Sequence, residues 1–216
     1  MKQAFTIKQV KPNIFLLSFK DYYDMAMHFL RYQEYYESAS PKFRGKQFEI
    51  FDFMRWYSKT YGKDSFTYPK DWGGFNIPGN VIADVYPCIK DYNKYDAAMF
   101  NAYIECAHTL VHPASKIPPF YMIGAVGNGP TLKHEIAHGF FYTTPKYKEE
   151  MTKLVKALKP NFRKAITTHL KSLGYTPKVY IDEIQAYLST GGVEEFLKLN
   201  GEDSPFKKVF RKYYNE

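Results

Sequence analysis

Residues 131–140 read Thr131-Leu132-Lys133-His134-Glu135-Ile136-Ala137-His138-Gly139-Phe140 and contain one complete His-Glu-x-x-His unit. A helical residue advances by about 100°, so His134 and His138 fall about 40° apart on one face. Two imidazoles at that spacing grip one metal ion, and Glu135 flanks them as a candidate base. Leu132, Ile136, Gly139 and Phe140 occupy the opposite arc, which is a face to bury. Lys133 falls on the flank, away from the ligands. The stretch predicts a helix with one packed side and one working side.

Reading outward, Pro118-Pro119 precede an apolar run, 120–126, of strand length. Gly127-Asn128-Gly129-Pro130 is a turn, and Thr131 can cap the motif helix. The strand's edge offers an extended peptide a place to add. Downstream, Thr143-Thr144-Pro145 closes the motif helix and starts another, with Thr144 as cap and Pro145 in the first turn. Met151, Leu154, Val155 and Leu158 then repeat at helical spacing. Further helices are predicted over about 162–173, 178–188, 194–199 and 206–214.

A zinc ion that keeps one position open for water takes three protein ligands, and the motif supplies two. The best-placed third is Glu183, 45 residues after His138. It lies on a predicted helix with Tyr180 and Tyr187 on its own face and Ile181, Ile184 and Leu188 beside it. A carboxylate so flanked is costly to bury unless it is paired or coordinates a metal. Asp182 is the rival, or it stands behind one histidine and orients it. His169 is a further candidate, but no pattern supports it. The pair His108 and His112 repeats the spacing on a helix predicted over 92–112. There Thr109 occupies the place of the base and Pro113 follows directly, so that pair offers metal binding without the chemistry. With zinc in place, Glu135 would take a proton from an attacking water, and Tyr187 or Tyr180 would donate to the oxyanion.

The N-terminal part is patterned differently. Residues 5–19 alternate loosely around Pro12-Asn13 and predict two short strands or a hairpin. Asp21 caps a helix running through Tyr36. A second helix, about 47–61, carries Phe48, Phe51, Met54, Arg55 and Ser58 along one side, with Gly62 as its stop. Residues 66–87 are punctuated by Pro and Gly and predict loop with short extended pieces. Within them, Asp71-Trp72-Gly73-Gly74-Phe75-Asn76-Ile77-Pro78 reads as a turn pinned by Trp72 and Phe75.

The 216 residues suffice for one large domain with a real core, and no repeat or long linker divides them. The expectation is one α+β domain over 1–216, predominantly helical, with a short sheet next to the motif helix. Residues 1–90 form its aromatic-rich part and 91–216 its metal-site part. Aromatics make up 19% of the chain, which favours a Phe- and Tyr-filled core over an aromatic substrate groove. The net charge of +8 comes mostly from lysines interspersed along helices, a pattern usual for a solvated face. It leaves a competing reading: a non-catalytic, metal-stabilised binding protein whose basic surface docks nucleic acid or an acidic partner. Cys88 and Cys106 form no disulfide framework or metal pair. No secretory leader or membrane-length apolar run is readable, so a soluble, cytoplasmic protein is the default.

The residues so assembled resemble zincin-type metallopeptidases of the gluzincin kind. His134, His138 and Glu183 match the ligand positions and Glu135 the base, over about sixty residues. That resemblance implies a zincin-like fold, a Zn2+ cofactor and a peptide or protein substrate. A zinc hydrolase of a non-peptide amide or ester is the alternative it leaves open. The metzincin extension would require Gly at 141 and His at 144, where this chain has Phe141 and Thr144. Gluzincins favour Asn-Glu around the third ligand; Asp182-Glu183 stands there instead. More of the chain resembles a broad group of uncharacterised microbial proteins with the same motif. That likeness runs through Phe29-Leu30-Arg31-Tyr32-Gln33-Glu34-Tyr35-Tyr36, 71–78 and Ile181-Asp182-Glu183-Ile184-Gln185-Ala186-Tyr187, and it implies a shared architecture more than an activity.

Overall fold

The computed structural model describes residues 4–111, 116–127, 131–192 and 198–215. Within them the chain is α+β and mostly helical, with a small mixed sheet. It packs as two units, residues 1–132 and 133–216.

All the described strands lie in the first unit. β1 (Phe5–Lys11) and β2 (Ile14–Phe19) form the antiparallel hairpin expected over 5–19. Asn13 makes its turn at a φ of 60°, a conformation that Asn tolerates. β3 (Gly74–Pro78) and β4 (Tyr121–Val126) complete a sheet of order β1-β2-β4-β3, with β4 parallel to β2 and antiparallel to β3. β4 is therefore bonded on both sides. The strand addition expected at its edge is ruled out, because the free edges belong to β1 and β3.

α1 (Tyr22–Glu37) starts where the Asp21 carboxylate accepts the Asp24 N–H at 2.8 Å. It lays Phe29 across β4 at Gly124. A Cβ on Gly124 would stand 2.5 Å from the Phe29 ring, so the close approach requires glycine. Phe29 in turn stacks on Phe75. α2 (Ile50–Thr60) buries Ile50, Phe53 and Tyr57, and not the side expected: Phe51 is 69% exposed. Ring packing of Phe53 against Phe43, Phe48 and Tyr68 selects the other arc.

Residues 66–87 are more regular than their Pro and Gly content suggests. They form α3 (Tyr68–Asp71), β3 and α4 (Gly79–Val85). The Pro78-Gly79-Asn80 signal marks a helix start, and burial of Val81, Ile82 and Val85 sustains it. Instead of the turn expected over 71–78, residues 74–78 are strand β3, held by buried Phe75 and Ile77, while Trp72 is partly exposed and touches the Tyr68 ring. α5 (Lys94–Leu110) opens with a capping box between Asn93 and Asp96 and buries Met99, Ala102 and Cys106. His108 sits on its last turn, whereas His112 lies outside the described residues. The turn at 128–130 and most of the helix expected over 194–199 also lie outside them.

The second unit is helical. α6 (Thr131–Thr143) begins at its boundary and is followed by α7 (Pro145–Ala157), α8 (Pro160–Ser172), α9 (Tyr180–Thr190) and α10 (Ser204–Asn215). Thr131 is the first helical residue of α6, so the cap position falls at 130, outside the described residues. Thr144 caps α7 by its backbone position, without a side-chain bond. α9 is the central element: it packs against α7, α8 and α10 and buries Ile184, Ala186 and Leu188. Among the described residues no helix is long and apolar enough to cross a membrane.

Candidate metal centre

Of the side of α6 expected to pack, Ile136, Gly139 and Phe140 are buried and Leu132 is half-buried; Ala137 and Phe141 are buried as well. Its working side is buried too. Glu135 and His138 are both under 10% exposed, at 6% and 3%. What covers that side is the first turn and a half of α9, where Asp182, Glu183 and Gln185 stand.

His134, His138 and Glu183 form a group that could hold a metal ion. The two Nε2 atoms lie 3.2 Å apart. Glu183 Oε1 is 3.8 Å from His138 Nε2, and Oε2 is 3.9 Å from His134 Nε2. Around a tetrahedral zinc with bonds of about 2.0–2.1 Å, ligand atoms sit about 3.3–3.4 Å apart. The nitrogens already have that spacing. Each nitrogen has a different carboxylate oxygen as its nearest, and with one ligand atom per residue the group spans up to 4.8 Å, so Glu183 must close in on a bound ion.

The groups behind the imidazoles fix which nitrogen faces the centre. His138 Nδ1 lies 2.9 Å from Asp182 Oδ1, a carboxylate oxygen that accepts, so Nδ1 carries the hydrogen. His134 Nδ1 lies 3.3 Å from Thr190 Oγ1, whose own hydrogen goes to the Ala186 carbonyl at 2.7 Å. Thr190 therefore accepts from His134 Nδ1. Both histidines turn Nε2 inward, as a shared ligand site requires. Of the candidates for third ligand, the geometry brings in Glu183 and puts Asp182 behind His138. His169, on α8, is not in the group.

Asp182 is itself held. Gln185 Nε2 donates to Asp182 Oδ1 at 2.9 Å and to the Ala137 carbonyl at 3.3 Å, and Tyr147 donates to Gln185 Oε1 at 2.8 Å. A fully buried Gln thus ties α9 to α6 and α7 while orienting the acid that orients His138. Sequence reasoning missed Gln185, Tyr147 and Thr190. The readable signal was an Asp-x-x-Gln spacing that puts both side chains on one helix face.

Electrostatics separates the two imidazoles. Burial, and then the neighbouring His138, hold His134 well below the ordinary histidine range. Burial works against a charged His138 as well, but Asp182, Glu183 and Glu135 outweigh it and raise its pKa well above the ordinary range. A metal ion between the two nitrogens and a proton on either Nε2 exclude one another, so acid competes with metal here. Tyr187 packs edge-on against His134, with ring centroids 4.6 Å apart. Burial and Glu183 raise the Tyr187 phenol, so it stays a hydrogen donor at neutral pH. Tyr180 is the first residue of α9; Tyr187 is the tyrosine in ring contact with His134.

Compared with known proteins, the chain matches no family model, no curated protein and no solved structure, so the site must be read from its own geometry.

Proposed function

We propose that the protein is a zinc-dependent hydrolase and that it cleaves peptide bonds. The observation that carries this reading is the convergence of two inward-facing imidazole nitrogens and one carboxylate beside a second, buried carboxylate, Glu135. Two His and one Glu suit zinc, and three protein ligands leave a position for a reacting molecule. Zinc bound there would acidify a water and polarise a carbonyl. Glu135, next to His134 in the chain and within the electrostatic reach of His138, takes a proton from the attacking water. It returns that proton to the leaving amine. Tyr187 donates its hydroxyl hydrogen to the oxyanion. Asp182 holds His138 in the tautomer that presents Nε2.

The direct test is metal analysis of the purified full chain together with a protease assay on an unfolded protein. One zinc per chain is expected, with cleavage that stops on chelation and returns with zinc. Protein that takes up no zinc even when incubated with it sinks the reading. Asp182→Ala is expected to weaken zinc binding by about 10–100-fold, read by competition with a chromogenic chelator. Asp182 is a quarter exposed, so the fold should tolerate the change.

A further inference from the structure

Tyr147 stands on α7, a helix that contributes nothing to the group of His134, His138 and Glu183. Both Tyr147 and Gln185 are fully buried, and the Tyr147 hydroxyl donates to Gln185 Oε1 at 2.8 Å. At the other end of the amide, the two hydrogens of Nε2 meet two acceptors. These are Asp182 Oδ1 at 2.9 Å and the Ala137 carbonyl at 3.3 Å. Turned over, the amide would set Oε1 against both acceptors, so its orientation is fixed from three sides. Asp182 is held less tightly. Its side chain is 26% exposed, and a carboxylate within reach of water gains by turning into it. Its Oδ1 nevertheless stays 2.9 Å from His138 Nδ1. The neighbour that cannot turn away is Gln185.

We propose that Gln185 and Tyr147 are positioning residues of the metal centre. Tyr147 and the Ala137 carbonyl hold the Gln185 amide, and Gln185 holds Asp182 against His138. The affinity for a zinc ion depends on this chain of bonds, although neither residue supplies a ligand atom. An imidazole backed by a fixed acceptor presents Nε2 in one direction before the ion arrives. Where the acceptor is free to leave, the ring must be ordered on binding, and that ordering costs affinity. The effect on zinc rests on the metal-site half of the reading above and not on hydrolysis; the bonds among Tyr147, Gln185, Asp182 and His138 rest on neither.

The test compares full-length wild type with Gln185→Met, Tyr147→Phe, Asp182→Ala and the double variant of Gln185→Met with Asp182→Ala. Met keeps the length and bulk of Gln without its amide, and Phe removes only a hydroxyl, so these chains should fold. The zinc Kd is read by competition with a chromogenic chelator, beside the melting temperature of the metal-free protein. A further readout needs no metal: the His138 Nδ1–H resonance of isotope-labelled protein, whose hydrogen the Asp182 bond shields from exchange with water. Asp182→Ala identifies that signal by removing it. Gln185→Met is expected to raise the zinc Kd about tenfold and Tyr147→Phe about threefold, with one zinc still bound at saturation. Both should weaken the Nδ1–H signal. In the Asp182→Ala background, Gln185→Met should change the Kd by less than about twofold, because it acts through Asp182. There it should still lower the melting temperature, through the lost bonds to Tyr147 and Ala137.

A zinc Kd for Gln185→Met within about twofold of wild type would overturn the proposal and leave Gln185 and Tyr147 as packing. Losses that multiply in the double variant would do so too, since Gln185 would then act by a route other than Asp182. If wild type takes up no zinc, the reading of the site as a metal centre fails, and the His138 signal alone decides. Its loss in Gln185→Met supports the positioning of His138; its persistence ends it.

Discussion

Zinc-loaded protein carrying Glu135→Gln is expected to keep one metal ion per chain and to lose about 10²–10⁴-fold of its peptide hydrolysis. Gln preserves the shape of the side chain and its place on α6 but cannot accept a proton. Glu135 is 6% exposed, so the lost charge is one that burial already disfavours. It also shares its surroundings with Glu183, since both act on His138 and on Tyr187. The measurement is kcat/KM beside zinc content and thermal melting. Hydrolysis within tenfold of wild type would remove Glu135 from the role of base. Loss of zinc along with activity would make Glu135 a ligand.

The grouping of His134, His138 and Glu183 was legible because helical spacing is a strong constraint. His138 follows His134 by four positions, and that alone puts both side chains on one face. Glu183 followed from chemistry: an acid among Ile181, Ile184 and Leu188 needs a partner, and the centre supplies it. The choice between Glu183 and Asp182 was not legible. It depends on the rotation of α9 about its axis, which is set by the burial of Ile184 and Leu188 and by the Gln185 bonds to Ala137 and Tyr147. In the first unit the hairpin could be read from alternation, α1 from its Asp21 cap and helical spacing, and α5 from helical spacing alone. The buried arc of α2 could not, because two aromatic arcs compete and the tertiary ring cluster chooses between them. The interior position of β4 was equally hidden, since both its neighbours, β2 and β3, lie far back along the chain.

The largest effect on stability is expected from Asp96→Asn in the first unit. Arg31 and Asp96 are each 2% exposed and bonded at 3.0 Å from Nε to Oδ1. Arg31 also donates to the Phe48 carbonyl at 2.6 Å, and Asp96 Oδ2 accepts the Asn93 N–H at 3.0 Å to complete the cap of α5. Both carboxylate oxygens thus accept. An amide at position 96 must present its NH2 to one of these two donors, whichever way it is turned. One bond is replaced by a clash, and the guanidinium loses its buried counter-charge. Breaking a buried pair from one side costs about 3–5 kcal/mol, which is a large part of a domain's total stability. Asp91→Asn is the control: Asp91 also meets Arg31, at 3.2 Å, but is 39% exposed, so its loss should cost about 1 kcal/mol or less. Urea unfolding with an unchanged slope would measure both. Similar costs for the two variants would show that the pair is not insulated from solvent. If Arg31→Met in the Asp96→Asn background recovers stability, the cost lies in the stranded guanidinium rather than in the cap. If it does not, the capping bond to Asn93 is the part that matters.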